Sequence, residues 1–328
     1  MILIDAESEP EKALSGSVAV LGNGGLVAVP TETVYGLAAD ATNGQAVAKI
    51  FAAKGRPQFN PLICHVSNQA MAEQYGEFSA LALKLADKFW PGPLTIVVPL
   101  KPNCGIHDLV SAGLGTIALR CPRGIVGKIA DQLGKPIAAP SANTSGTISP
   151  TSAKHVVDDL SEKVDLIIDE GACLVGLEST IVKPDGPNGD ELYLLRSGSI
   201  TAELLEDFLQ KPVLRVASGS PIQAPGMMTS HYAPRAELRL NIRHVNEGEA
   251  LLAFGEVPLE YAKTAIQILN LSQSGDLVEA AANLYDYLKQ LDATGATSIA
   301  VQSIPEAGLG EAINDRLNRA AAPKGGNQ

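Results

Sequence analysis

Two cations flank a glycine, and much later in the chain a serine and an asparagine repeat the same one-residue spacing. The cations are Lys54 and Arg56, and the polar pair is Ser141 and Asn143. An ammonium supplies a point charge and a guanidinium a planar fork, which together suit a phosphate group. Taken separately, the cations could instead stabilise a helix end, and the polar pair could cap a turn. Both interpretations stay open at this point.

Two further segments are rich in polar groups that could face a small ligand. Residues 30–37 read PTETVYGL and follow a predicted buried strand, and residues 139–146 read APSANTSG after another. Ligands of α/β proteins bind beyond the carboxyl ends of strands, and successive backbone N–H groups can cradle an anion. An ordinary polar turn is the alternative for each segment.

Several common catalytic motifs are absent from the sequence. It contains no GxxxxGK[ST], HExxH, GxSxG or EF-hand pattern. The glycines at 22–25 precede a predicted strand instead of following one, which is the wrong context for a dinucleotide fingerprint. A nucleotide would therefore have to be held in some other way.

Short apolar runs that alternate with helical patterns position these segments. Strands are predicted at 26–30, 61–66, 93–100, 115–121, 135–140, 164–169, 179–184 and 191–196. Helices are predicted at 44–54, ending at Gly55, and at 79–90 and 152–160. The alternation indicates an α/β layer architecture.

The composition changes at residue 212, where a stretch rich in Pro, Gly and Ser begins. We predict a catalytic domain at 1–211, a linker at 212–235 and a smaller α/β domain at 236–328. In that domain strands are predicted at 237–242, 250–255, 265–271 and 297–304, with a helix at 276–291. Because the linker carries Met227, Met228, His231 and Tyr232, we expect it to act as a lid.

Composition limits the class of protein. The chain has 328 residues, 45% of them hydrophobic and 19% charged, which favours two folded domains. Its net charge of −11 and the lack of adjacent Lys or Arg residues argue against a nucleic-acid-covering surface. Four separated cysteines indicate buried thiols, and no apolar run reaches the roughly 18 residues of a membrane span. We expect a cytoplasmic protein with no membrane partner.

The segments together resemble the Sua5/YrdC family of threonylcarbamoyl-AMP synthases. The resemblance includes K-x-R, S-x-N and PTETVYGL, and continues through WPGPLT at 90–95, GTIALRCP at 115–122, GLEST at 176–180 and LLRSGSI at 194–200. It extends through PGM and SHYAP into a second domain like that of the longer, Sua5-type members. It implies a YrdC-like twisted mixed sheet plus a smaller Rossmann-like C-terminal α/β domain.

The resemblance also implies an activity. Members of the family are nucleotidyltransferases that make threonylcarbamoyl-AMP and pyrophosphate from L-threonine, bicarbonate and ATP, with Mg²⁺. The product feeds the t6A modification of adenosine 37 of tRNA through a downstream tRNA threonylcarbamoyl transferase complex, so contact with tRNA would be indirect. Mg²⁺ would be bound largely by the triphosphate, without dedicated protein ligands.

Motif by motif, the resemblance assigns residues to two substrates and to catalysis. The expected threonine contacts are Thr33, His65, Arg120, Ala139 and Ser179, with Arg120 on the carboxylate. The expected ATP contacts are Lys54, Arg56, Asn60, Thr116, Ser141, Asn143, Ser149, Arg196 and Tyr232. Lys54 and Arg56 are the expected catalytic pair.

Two alternatives remain at this stage. One is a double-stranded RNA-binding module that uses a concave basic face, against which the net charge of −11 weighs. The other is an enzyme that forms a carbamoyl-adenylate from carbamoyl phosphate. Enzymes of that kind in hydrogenase maturation carry cysteine-rich zinc modules, and this sequence has no C-x-x-C pair.

Overall fold

The structure is a computed structural model that describes residues 1–186, 189–216, 223–226 and 230–323. The chain forms two units. The first comprises Met1–Ser145, Pro150–Cys173 and Glu178–Met227, and the second comprises Gly146–Ser149, Leu174–Leu177 and Met228–Gln328. The domain limits at 211 and 235 stay predictions. Within the predicted linker, residues 217–222 and 227–229, including Met227 and Met228, lie outside the described residues.

The first unit contains most of the secondary structure. Its strands are β1 Ile2–Asp5, β2 Val27–Val29, β3 Gly36–Asp40, β4 Ile63–His65, β5 Leu94–Pro99, β6 Thr116–Arg120, β7 Ile137–Ala138, β8 Leu166–Asp169, β9 Thr180–Asp185, β10 Glu191–Arg196 and β11 Leu214–Arg215. Its helices are α1 Pro10–Gly22, α2 Gly44–Lys54, α3 Gln69–Tyr75, α4 Ala80–Phe89, α5 Asp108–Ser111, α6 Ile125–Leu133, α7 Ala153–Leu160 and α8 Ala202–Leu209.

These strands pair into one mixed sheet in the order β1-β8-β2-β3-β7-β4-β6-β5-β9-β10-β11. Strands β4 and β6 run parallel, with His65 opposite Arg120, whereas β7 runs antiparallel to both β3 and β4. Strand β5 is antiparallel to β6 and parallel to β9. The mixed α/β sheet that the resemblance implied is confirmed.

The two faces of this sheet pack differently because side chains alternate along a strand. On one face, residues such as Leu37, Cys64 and Leu119 join a large apolar core with residues of α2, α4 and α7. On the opposite face, the strands from β1 to β7 in the sheet order pack against α1 and α6 through residues such as Val27 and Ile137. The first unit is therefore layered on both sides of its sheet.

Helix α2 begins and ends as its sequence predicts. The side chain of Asn43 accepts hydrogen bonds from the backbone N–H groups of Gln45 and Ala46, which caps the amino terminus. Gly55 adopts a left-handed conformation with φ of 60° and closes the carboxyl terminus. This termination delivers Lys54 at the last helical residue and Arg56 just beyond it.

The second unit is a smaller parallel sheet with helices. Its strands are β12 Glu237–Arg239, β13 Ala250–Ala253, β14 Ile268–Asn270 and β15 Ser298–Val301, and its helices are α9 Leu259–Thr264, α10 Leu277–Asp292 and α11 Leu309–Ala321. The order is β12-β15-β13-β14 and every pairing is parallel. The four predicted strands and the helix with its buried stripe at Leu284 and Leu288 are confirmed.

A close backbone approach ties residues 174–177 into this second unit. Gly176 has φ of +72°, and a Cβ atom there would lie 2.5 Å from the carbonyl oxygen of Ala281 in α10. A side chain at residue 176 would therefore collide with the helix backbone. Among the described residues, no helix has the length and apolar character needed to span a membrane.

The fold predicts how stability responds to a side chain at Gly198, which lies between β10 and α8. A Cβ atom at this residue would lie 2.6 Å from the backbone nitrogen of Thr180 and 2.7 Å from the carbonyl oxygen of Glu178. Because backbone atoms cannot swing aside, Gly198→Ala should lower the free energy of unfolding by about 1–3 kcal/mol, measured by urea titration. Gly115→Ala is the matched control, since no atom lies within 4 Å of its would-be Cβ. It should change stability by no more than about 0.5 kcal/mol. Equal stabilities of the two variants would contradict this packing.

Candidate active site

The polar strand residues share one face of the sheet. His65 and Arg120 are register partners at the ends of β4 and β6, so their side chains lie side by side. On the neighbouring strands Thr95 is opposite Ile181, two residues beyond Ser179. Since strand side chains alternate, all four polar side chains lie on the same side of the sheet. We call this surface of β4, β5, β6 and β9 the polar face.

Arg120 is the best-anchored group on the polar face. Its side chain is buried, and its Nε donates to the carbonyl oxygen of Gly92 at 3.2 Å. Its Nη1 donates to Oγ1 of Thr33 at 2.9 Å, and its Nη2 lies 2.8 Å from Oε2 of Glu32. These three contacts come from segments distant in sequence, and they fix the plane of the guanidinium.

The hydroxyl groups of Thr31 and Thr33 form a chain of hydrogen bonds with a defined direction. Oγ1 of Thr31 donates to the carbonyl oxygen of Val34 at 2.7 Å and lies 2.8 Å from Oγ1 of Thr33. A hydroxyl has a single hydrogen, so Thr31, which has already used its own, accepts from Thr33. Thr33 then accepts from Arg120. The loop thereby presents a buried, ordered hydroxyl beside the guanidinium.

His65 is buried beside Arg120 and stays uncharged at neutral pH. Burial, and after it the positive charge of Arg120, lowers the pKa of His65 well below its usual value. Its Nδ1 atom has no hydrogen-bond partner among the described residues. A neutral imidazole offers one donor and one acceptor, so this ring can contact a polar ligand without adding charge.

Ser179 is held between a cation and a hydroxyl. Nε and Nη2 of Arg196 donate to the carbonyl oxygen of Ser179 at 3.1 and 3.0 Å, and Nη2 also reaches its Oγ at 3.1 Å. On its other side, Oγ of Ser179 lies 2.7 Å from Oγ1 of Thr95. Arg196, an expected ATP contact, is therefore directly hydrogen-bonded to Ser179, an expected threonine contact.

Lys54 joins the two halves of the K-x-R and S-x-N pattern. Its buried Nζ donates to the carbonyl oxygens of Ser141 and Asn143, and lies 3.5 Å from Oδ1 of Asn143. Its own carbonyl oxygen accepts from the backbone N–H of Ser145 at 2.8 Å. Burial, and after it the charge of Arg56, lowers the pKa of Lys54, whereas the surrounding oxygens favour the ammonium form. In this state Lys54 organises the 141–145 segment.

Arg56 is fixed by the loop that follows it. Its Nε donates to the carbonyl oxygen of Asn60 at 3.3 Å, and its Nη2 donates to that of Pro61 at 2.9 Å. The guanidinium and Asn60 are both buried. These two contacts fix the plane of the guanidinium.

The remaining expected site residues occupy other places. Ala139 is buried beside Gly36, where an added Cβ would lie 3.3 Å from the Cβ of Ala139. Thr116 begins β6, at the opposite end of this strand from Arg120, about 13 Å away along the strand.

Ser149 and Tyr232 belong to the second unit. Within that unit the ring of Tyr232 stacks on Tyr285, with ring centroids 5.7 Å apart, and lies 5.4 Å from the guanidinium of Arg316.

The structure adds residues that the sequence interpretation did not single out. Gly92 and Thr95 hold Arg120 and Ser179, and Thr31 and Glu32 complete the surroundings of Arg120. All four residues lie within the motifs WPGPLT and PTETVYGL, so the sequence did contain a signal for them. In the described parts of the chain, no group of three or more His, Cys, Asp or Glu side chains is arranged to hold a metal ion.

Comparisons with known proteins agree with this architecture. The family model described as telomere recombination, for Sua5, YciO and YrdC, matches residues 19–198. The model of the threonylcarbamoyl-AMP synthase C-terminal domain matches residues 200–322. The threonylcarbamoyl-AMP synthase of Bacillus subtilis strain 168 is 37% identical, over 97% of this chain and 95% of that protein.

An archaeal relative extends the comparison to a solved structure. The threonylcarbamoyl-AMP synthase of Pyrococcus abyssi is 38% identical over 91% of each chain. The crystal structure of P. abyssi Sua5 complexed with L-threonine aligns with a TM-score of 0.87 at 34% identity, and the alignment covers 98% of this chain and 97% of that one. The similarity therefore includes both units.

The geometry of the site leads to a prediction about the ionisation of His65. Because burial and Arg120 lower its pKa well below about 6.5, the ring should not titrate between pH 8 and pH 6 in the ligand-free protein. NMR of histidine-labelled protein measures this, and the spectrum of His65→Gln assigns the resonance. A midpoint at or above pH 6.5 would contradict the burial of this ring.

The same shift has a consequence for stability. Below about pH 6.5 the unfolded chain binds a proton at His65 that the folded chain does not bind. Stability therefore falls as the pH drops through this window, and the free energy of unfolding of His65→Gln should fall less between pH 7.5 and pH 5.5 than that of the wild type. Replacement of the exposed His244 by Gln serves as the control and should leave the wild-type pH dependence in place.

Proposed function

The chain belongs to the Sua5/YrdC family, and from this premise we propose that it is an L-threonylcarbamoyladenylate synthase, a nucleotidyltransferase. It makes threonylcarbamoyl-AMP and pyrophosphate from L-threonine, bicarbonate and ATP for t6A formation at adenosine 37 of tRNA. One observation carries the proposal most directly. A buried, well-anchored arginine lies beside a neutral histidine in a fold that matches a threonine-bound relative.

The proposed threonine site is centred on Arg120. Five N–H donors are available on a guanidinium, and three contacts to Gly92, Thr33 and Glu32 leave donors for a substrate carboxylate. Beside the guanidinium, Thr33 and His65 offer polar atoms, and Ser179 lies on the same face of the sheet. The remaining member of the proposed site is Ala139.

The proposed ATP site is centred on the cations of the K-x-R and S-x-N pattern. Arg56 provides a carbonyl-solvated charge for phosphate oxygens, and Lys54 adds charge while it fixes the segment that carries Ser141 and Asn143. The backbone N–H groups of Ala142, Thr144 and Ser145 are bonded within the protein, so they do not form the anion cradle that the sequence suggested. They fix the conformation of the segment instead, and its side chains are the proposed phosphate contacts. The other proposed contacts are Asn60, Thr116, Ser149, Arg196 and Tyr232.

The proposed chemistry needs positioning and neutralisation of charge instead of a covalent nucleophile. The ammonium group of threonine and bicarbonate give a carbamate, one water molecule and one proton. A carbamate oxygen then bonds to the α-phosphorus of ATP, while the bond from this phosphorus to the pyrophosphate oxygen breaks. Both the carbamate and the mixed anhydride decompose in water, so the site must exclude it.

The setting of the reaction is part of the proposal. Mg²⁺ would be held largely by oxygens of the triphosphate and would supply neutralisation of the phosphate charge. The enzyme works in the cytoplasm, and a tRNA threonylcarbamoyl transferase complex consumes its product. Contact with tRNA is indirect.

The proposed ATP site predicts how activity changes when Arg56 or Lys54 loses its charge. Replacing either residue by a neutral side chain of similar length, in Arg56→Gln or Lys54→Met, should lower kcat/KM for ATP about 10- to 150-fold. This range corresponds to the loss of one hydrogen bond to a charged group, about 1.5–3 kcal/mol. The control is Lys49→Met, on the same helix, because Lys49 is exposed and its Nζ donates to the carbonyl oxygen of Gly24, away from the proposed site. Near-wild-type activity of Arg56→Gln would contradict the proposed role of Arg56 in binding the phosphate groups of ATP.

A second measurement separates the proposed function from its alternatives. Pyrophosphate release is followed with ATP and either L-threonine plus bicarbonate or carbamoyl phosphate as co-substrate. We expect release only with threonine plus bicarbonate. Release with carbamoyl phosphate alone would indicate a carbamoyl-adenylate enzyme. Salt-sensitive binding of double-stranded RNA without any pyrophosphate release would indicate a nucleic-acid-binding module.

A further inference from the structure

Glu32 is a buried carboxylate whose hydrogen-bonding capacity is unused. Its side chain is 8% exposed, and both carboxylate oxygens are inaccessible to water. Neither oxygen accepts an aligned hydrogen bond from the described residues. An ionised carboxylate can accept about four hydrogen bonds, and burial without them is costly. The fold therefore maintains an acceptor that the described part of the protein does not satisfy.

Among the described residues, Glu32 forms an ion pair with Arg120 and with no other cation. Oε2 of Glu32 lies 2.8 Å from Nη2 of Arg120, close enough for an ion pair, but the N–H direction is not aligned with the oxygen. The aligned hydrogen bonds of Arg120 go to Gly92 and Thr33. Removing one partner of a buried pair is usually strongly destabilising, so the pair persists as a unit.

A neighbouring cation and anion match the charges of a free amino acid. The α-carboxylate and α-ammonium groups of an amino acid are joined through a single carbon atom. A ligand whose carboxylate contacts Arg120 therefore carries its ammonium group within a few ångströms, in the region where Glu32 lies beside the guanidinium. The ammonium has three donors, which is the complement that the Glu32 oxygens lack.

We propose that Glu32 is the binding residue for the α-amino group of the amino-acid substrate. This inference rests on the proposed function, which supplies L-threonine as the ligand. Oε1 and Oε2 accept hydrogen bonds from the substrate nitrogen while Arg120 holds the substrate carboxylate. The pair thereby selects an amino acid over a carboxylic acid without an amino group, and it fixes the nitrogen that must meet bicarbonate.

The experiment compares two ligands on the full-length protein. The first is L-threonine, and the second is (R)-3-hydroxybutanoate, which has the carboxylate and the hydroxyl group but no amino group. Dissociation constants are measured by ligand-observed NMR titration for the wild type and Glu32→Gln. We expect Glu32→Gln to weaken L-threonine binding about 10- to 150-fold, the value of a hydrogen bond to a charged group, and to change 3-hydroxybutanoate binding less than about 3-fold.

A role confined to holding Arg120 gives a different pattern. In that case Glu32→Gln would weaken both ligands by the same factor, and this result would overturn the proposal. Unchanged threonine binding would overturn it as well. Glu32→Asp keeps the charge but shortens the side chain, and it should recover part of the threonine affinity lost in Glu32→Gln. If Glu32→Gln does not fold, Glu32→Asp alone should show the selective loss for threonine, and an equal loss for both ligands would again contradict the assignment.

Two controls separate this inference from the proposed function. Replacement of the exposed Glu77 by Gln should leave both affinities unchanged. ATP affinity should be the same in the wild type and Glu32→Gln, because Glu32 is assigned to the amino acid. Wild-type protein that binds no L-threonine and releases no pyrophosphate would refute the proposed function itself. Wild-type protein that binds threonine, with no selective effect at Glu32, would refute only the role of this residue.

Discussion

A guanidinium taken out of water must find acceptors for its N–H groups, and the surroundings of Arg120 follow from this requirement. The carbonyl oxygen of Gly92 satisfies one donor, the hydroxyl of Thr33 another, and Glu32 balances the charge. Each acceptor comes from a segment whose conformation is fixed elsewhere. Thr33 is ordered through Thr31, and Gly92 donates its own N–H to the carbonyl oxygen of Cys121, next to Arg120 in sequence. Burial of one cation thus fixes two loops on the polar face.

The buried cations of the first unit are satisfied in two different ways, and the difference suits two kinds of ligand. The hydrogen bonds of Lys54 and Arg56 described above go to backbone carbonyls, and the charges of Asp159 and Glu178 also act on Lys54. The two cations lie close enough to affect each other's charge, and together they attract a polyanion such as a triphosphate. Arg120 instead has Glu32 as its neighbour, so its surroundings are zwitterionic. Such a pair has little net attraction for a polyanion but complements a ligand that carries both charges.

Much of the fold could be predicted from short-range patterns, but not the parts that depend on tertiary pairing. Strands such as β4 and β6 are apolar and β-rich, and α2 carries its own capping residues, so local sequence is sufficient for them. Strand β3 was not predicted, because its sequence GLAAD has few residues that favour strands. It is a strand because β2 and β7 pair with it on both sides. Helices α1, α6 and α11 and strand β1 were also missed.

In the candidate site, too, local sequence predicts some features, whereas others depend on how the strands pair. The motifs indicate that Lys54 and Arg120 matter, but the partner of each hydrogen bond depends on register, and the place of Glu32 beside Arg120 was not predicted. His65 and Arg120 share the polar face only because Cys64 and Leu119, their neighbours in sequence, are buried in the apolar core on the other side. A slip of one residue in β4 would place the imidazole in that core and the thiol on the polar face. The apolar residues of these strands therefore determine which polar residues meet, so the chemistry of the site is set by side chains that take no part in it.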